Sequence, residues 1–128
     1  MTLNDITYKI RGAAYTVYRN LGPGLLEKVY QEALAYELQK EGLKVAREVM
    51  VPIVYDGHAL SSDMKLDILV EDSIIVELKS VEVLLPVHKK QLQTYLKLTN
   101  RQVGLLINFN VAQMDNDAIV RCVNGYKE

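Results

Sequence analysis

Near Gly42 the apolar residues of this chain change period, from every three to four residues to every second one. That switch limits the fold to helices laid against a sheet. Thr2-Leu3-Asn4-Asp5 reads as a capping box, and Ile6, Ile10, Ala13, Ala14, Val17 and Leu21 recur at helical spacing behind it. Gly22-Pro23-Gly24 stops this helix, with Pro23 suited to the first position of the next. A second helix is predicted from about Leu25 to Glu41, with Leu26, Tyr30, Ala33, Leu34 and Leu38 on one side and Gly42 closing it.

Beyond Gly42 the alternation predicts strands. Val45, Val49, Val51, Ile53 and Tyr55 form one, and Asp56-Gly57 signals a hairpin after it. Met64, Leu66, Ile68 and Val70 form a second strand. Glu71-Asp72-Ser73 is a polar turn, and Ile74, Val76 and Leu78 form a third. Pro86 opens a helix through about Thr99, and Val103 to Ile107 reads as a buried strand. Asp117 to Val123 reads as a last edge strand or a short helix. The expected fold is α/β, a mixed sheet with an antiparallel start and flanking helices, in a single domain over residues 1–128.

Composition excludes several function classes. Apolar residues make up 49% and charged residues 24%, which argues against disorder. Fifteen Lys and Arg face sixteen Asp and Glu, so a bulk basic coat for nucleic acid is excluded while a local basic cleft is not. One cysteine, Cys122, cannot form an internal disulfide, and with two histidines it makes a poor zinc site. Cys122 reads as a small apolar residue rather than a nucleophile, and His58 as an exposed hairpin residue. No signal peptide or membrane-spanning run is visible, so a cytoplasmic protein without membrane association is expected.

The chemistry concentrates on the second and third strands. Lys65, Asp67 and Leu69 are expected to share one face, as are Ile75, Glu77 and Lys79. A three-residue turn at Glu71–Ser73 pairs Val70 with Ile74, and the same register sets Asp67 opposite Glu77. Their Cβ atoms should then lie about 4.5–5.5 Å apart. Two facing carboxylates repel unless a cation sits between them. Lys79 supplies one charge, and a divalent metal with oxygen ligands would supply more. An ordinary salt-bridged surface ladder explains the same residue types.

Asp67, nine intervening residues and Glu77-Leu78-Lys79 resemble the Asp…Glu-x-Lys signature of the PD-(D/E)XK nuclease superfamily. Gly24-Leu25-Leu26-Glu27-Lys28-Val29-Tyr30 matches the motif that names the bacterial GxxExxY family of that superfamily. Leu69 to Asp72, Ile75 to Lys79 and Val103 to Phe109 resemble further segments of it, and the likeness covers nearly the whole chain. Gln91-Leu92-Gln93-Thr94-Tyr95 resembles the Gln-x-x-x-Tyr element of RecB-like members. The chain departs from the family's usual residues at Tyr18, at Met64-Lys65 and at Asn110.

The resemblance implies a metal-dependent nuclease acting on DNA. Asp67, Glu77, the Leu78 carbonyl and Glu27 would hold magnesium or manganese, with Lys79 catalytic and Glu27 acting directly or through water. An acidic residue in a first helical turn is also explained by the helix dipole alone. Gln91 and Tyr95, at i and i+4, would line the site. Tyr30 shares the Glu27 face and is expected to hydrogen-bond it. His88 would contact phosphate or shuttle a proton, or simply belong to a wet helix face with Lys89, Lys90, Lys97 and Arg101. The competing expectation is a non-catalytic nucleic-acid- or protein-binding module on the same scaffold. A homodimer or a partner protein is the further expectation.

Overall fold

The computed structural model describes residues 1–115 and 117–126. Helix α1 runs Leu3–Leu21 and α2 runs Glu27–Lys40. Strand β1 is Val45–Met50, the short strands β2 and β3 are Val54–Tyr55 and His58–Ala59, β4 is Lys65–Val70, and β5 is Ile74–Lys79. Helix α3, Pro86–Leu98, leads to β6, Val103–Asn108, and β7, Ile119–Val123. The main sheet has five strands in the order β1-β4-β5-β6-β7. Among the described residues only β5 and β6 pair in parallel, joined by the α3 crossover, so the sheet is mixed.

Each face of the sheet buries its own core. Helices α1 and α2 pack Ile10, Ala14, Tyr30, Leu34 and Leu38 against Ile68, Val76, Leu78 and Leu105. Helix α3 packs Leu92, Tyr95 and Leu96 against Leu66, Leu69, Ile75 and Leu106 on the other. The central strands are covered on both faces and therefore read as continuous apolar runs. Gly104 lets α3 sit close: a Cβ there would lie 2.8 Å from Leu92 Cδ1 and 3.3 Å from the Ile75 carbonyl oxygen.

The capping box forms as expected, with Thr2 Oγ1 accepting from the Asp5 N–H and Asp5 Oδ2 accepting from the Thr2 N–H. Three expectations are corrected. Helix α2 starts at Glu27, so Pro23 sits in the connecting bend rather than at a first helical position. The strand predicted over Val45–Tyr55 is broken after Met50, where Pro52 has no N–H to donate. Its end pairs instead across Asp56-Gly57, whose φ values of 51° and 76° suit a tight hairpin turn. Of the two readings of Asp117–Val123, the strand is observed, pairing antiparallel with β6.

The third correction concerns the faces of β4. Leu66 lies in the α3 core while Ile68, two residues on, lies in the α1/α2 core. The alternation inverts at Asp67, so Lys65 and Leu69 do not share a face. On β1 the facing residue Glu48 has φ 51°, and the pairing of the two strands skips both Glu48 and Asp67.

Candidate active site

The site grows from the β4–β5 hairpin. Its turn closes over Glu71–Ser73, with Glu71 and Asp72 both at φ 52° and the Ser73 N–H donating to the Val70 carbonyl at 3.0 Å. Val70 pairs with Ile74, Leu69 with Ile75 and Ile68 with Val76, which is the expected register. One step further the carboxylates take over from the ladder. The Asp67 N–H donates to Glu77 Oε2 at 2.8 Å, and the Leu78 N–H donates to Asp67 Oδ2 at 2.8 Å. The two acids are thus brought together, each with one oxygen fixed by a main-chain donor.

Their surroundings make ionisation costly. Glu77 is 5% exposed, and burial followed by the charge of Asp67 pushes its pKa up to about 8. Burial also raises Asp67, against the lowering effects of the Leu78 N–H and of Lys79. The Lys79 charge lowers both acids, while the Glu27 charge raises both. Lys79 ends β5, in parallel register with Asn108 of β6.

Glu27 opens α2, where the helix dipole favours an acid. It faces the end of β5: its Oε2 accepts a long 3.4 Å bond from the Ser80 N–H, and Ser80 Oγ donates to the Leu25 carbonyl at 2.7 Å. A groove of about 510 Å³ lies here, lined by Leu25, Leu26, Glu27, Lys28, Ser80 and Asn110. On the α3 side, Gln91 Nε2 donates to the Tyr95 hydroxyl at 3.1 Å. Burial first, then the charges of Glu77 and Asp67, raise the Tyr95 hydroxyl pKa, so this group stays neutral near the acids. Gln91 and Tyr95, at i and i+4, are thus joined to each other on α3.

The expectation for Tyr30 fares differently. Tyr30 has no hydrogen bond to Glu27. Its buried hydroxyl donates to the Gly22 carbonyl at 2.6 Å and accepts from the Leu25 N–H at 3.1 Å, while its ring stacks on Phe109 at 4.4 Å. It clamps the bend that presents Glu27. His88 Nδ1 accepts from the Leu85 N–H at 3.0 Å and so caps the start of α3, and no hydrogen bond joins it to the acids. Of the two residues set aside earlier, His58 lies exposed on β3, and burial raises the Cys122 thiol pKa, which suits an inert residue.

Sequence reasoning missed Asn108 and Ser80. Asn108 is 3% exposed and spends its amide on the loop after β5, with Nδ2 donating to the Val81 carbonyl at 2.8 Å and Oδ1 accepting from the Val81 N–H at 3.1 Å. A polar residue ending an apolar strand was the available signal. Tyr18, a departure from the family's usual residue, donates its hydroxyl to the Val111 carbonyl and holds the loop beyond Phe109.

A family model for the PD-(D/E)XK nuclease superfamily matches residues 4–122. The chain belongs to the PD-(D/E)XK nuclease superfamily. No curated protein and no solved structure matches it. A PD-(D/E)XK chain implies nuclease-type activity on nucleic acid, generally with divalent metal ions. The donor set here fits such an ion. Two hard carboxylates are crowded enough to repel, and among the described residues Asp67 Oδ1 and Glu77 Oε1 carry no hydrogen bond. No three His, Cys, Asp or Glu among the described residues form a cage, so water, main-chain carbonyl and substrate oxygens would complete the shell. Among the described residues no helix is long and apolar enough to cross a membrane.

Proposed function

We propose that this single-domain chain is a magnesium- or manganese-dependent nuclease that hydrolyses DNA phosphodiester bonds, a GxxExxY protein of the RecB-like type. The observation that carries the reading is the Asp67–Glu77 pair, locked by two 2.8 Å main-chain bonds with Lys79 beside it. Asp67 and Glu77 would hold the metal, with the Leu78 carbonyl as a further ligand and Glu27 joining through water. When bound, a divalent cation neutralises charge on the scissile phosphate.

The chain's own groups do the rest. Lys79, half-buried at the end of β5, holds the attacking water or meets the negative charge that develops on the phosphate. The Tyr95 hydroxyl, kept neutral by its surroundings, orients Lys79 or the nucleic acid, with Gln91 fixing its direction. Glu27 receives water or a proton at the mouth of the groove beside Ser80. His88 reaches phosphate only through its Nε2, because Nδ1 is taken by Leu85.

The test is degradation of single-stranded, duplex and branched DNA with magnesium or manganese, comparing wild type with Lys79→Ala. Metal-dependent cleavage lost in the variant supports the reading. Wild type that binds DNA or a partner protein but cuts none of these substrates in either metal overturns it in favour of a non-catalytic module.

A further inference from the structure

We propose that Glu48 is a positioning residue for Asp67, and that its left-handed backbone is what turns Asp67 toward Glu77. The inference rests on reading Asp67 and Glu77 as the metal-holding pair. Glu48 and Asp67 occupy the one step that pairing skips between Arg47↔Ile68 and Val49↔Leu66. On either side of that step both strands present opposite faces. Arg47 Nε reaches Gln31 of α2 at 3.0 Å, whereas Val49 packs in the α3 core. Ile68 and Leu66 divide in the same way. Without this inversion a regular β4 would keep its alternation through Asp67. With it, the Asp67 N–H is spent on Glu77 Oε2.

The residue at the inversion is not glycine. Glu48 holds φ 51°, a region that any Cβ disfavours. Strain of this kind persists where surrounding structure imposes it, and it clusters at functional sites. Lys28, next to Glu27 on α2, holds its Nζ 3.0 Å from both Glu48 carboxylate oxygens. With side-chain exposures of 72% and 37%, that ion pair adds little to stability. It fixes the direction of the Glu48 side chain, whose charge is among those that raise Asp67.

Backbone and side chain can be separated by substitution. Glycine adopts φ near +50° freely, and valine resists it. In the metal-free protein, at a pH where Glu77 is ionised, the Asp67 amide proton, donated to its carboxylate, should resonate well downfield. Glu48→Gly is expected to keep that resonance position and to hold manganese affinity, measured by calorimetry, within about twofold. Glu48→Val is expected to move the resonance upfield and to weaken manganese binding by roughly 10–100-fold, as loss of an orienting partner does. Should Glu48→Val fail to fold, Glu48→Ala makes the same comparison against Glu48→Gly. A wild-type Asp67 amide at an ordinary resonance position overturns the proposal. So does Glu48→Val matching wild type in both readouts, or Glu48→Gly losing as much as Glu48→Val. Amide resonances that behave as expected in a protein that binds no manganese leave the positioning of Asp67 standing and remove the metal reading instead.

Discussion

Asp67 and Glu77 are joined by a main-chain N–H on one strand and a carboxylate oxygen on the other, at 2.8 Å. A regular ladder would have paired their backbones. Here a carboxyl oxygen replaces a carbonyl, so the geometry of the acid pair and the end of the strand pairing are the same feature.

The crowding of the two acids should appear in the pH dependence of stability. The Glu77 carboxyl is raised from 4.5 to about 8 in the folded chain. Below pH 4.5 it is protonated folded or unfolded and costs nothing. Between about 4.5 and 8 the unfolded chain releases the proton and the folded one retains it, so stability falls as pH rises. Each tenfold difference in proton affinity between the two states is worth about 1.4 kcal/mol, so metal-free protein should lose on the order of a few kcal/mol across that window by urea unfolding. Glu77→Gln should flatten the slope. An equal slope in the variant would assign the effect to other groups.

Manganese should reverse this cost. A ligand that binds only the folded state stabilises it by about 2.7 kcal/mol at 100 times its dissociation constant. For a chain of this size that is a rise of several degrees in Tm. The rise should be larger at about pH 8 than at about pH 6, because the acids must shed protons to bind. Glu77→Gln should abolish it. Thermal unfolding at millimolar manganese is the check, and an unchanged Tm would count against the metal site.

Lys79→Ala should cut cleavage by a factor of roughly 10²–10³, the usual cost of removing one charge-stabilising group. Lys79 is only half-buried, so its truncation leaves the two cores intact. The manganese-induced Tm rise should survive in the variant. Cleavage at the wild-type rate would show that the site is wrongly assigned or that a contaminant is cutting.

Tyr30→Phe should act on stability before activity. It leaves the Gly22 carbonyl and Leu25 N–H without their hydroxyl partner, at a cost of about 1–3 kcal/mol by urea unfolding. The Phe109 stack is retained. A destabilisation near zero would show that water replaces the hydroxyl.

Much of this was legible in the residues. The period change at Gly42 announced helices before strands, and the polar turn at Glu71–Ser73 fixed the register that brings Asp67 to Glu77. The inversion at Glu48 and Asp67 was not legible, because neither glycine nor proline marks it. The role of Tyr30 was misread for a related reason. Helical spacing places a side chain on a face but says nothing of which carbonyl its hydroxyl meets, and here the partners lie upstream in the bend. Asn108 escaped notice because one amide at a strand end looks like a simple strand terminator until its loop is seen wrapped around it.

The two contacts that build the site differ in how far apart they lie along the chain. The β4–β5 hairpin closes over a three-residue turn, so Asp67 and Glu77 are neighbours as soon as a local hairpin forms. The parallel pairing of β5 with β6 waits for the whole α3 crossover, and only then does α3 pack over Leu66, Leu69 and Ile75. Local contacts close early because their loop entropy is small. The acids thus meet in water, where their repulsion is slight, and its cost falls due when α3 docks. Docking becomes the pH-sensitive step of folding. Stopped-flow refolding of the metal-free chain should slow as pH rises toward about 8, and a pH-independent refolding rate would place the burial of Glu77 after the rate-limiting barrier.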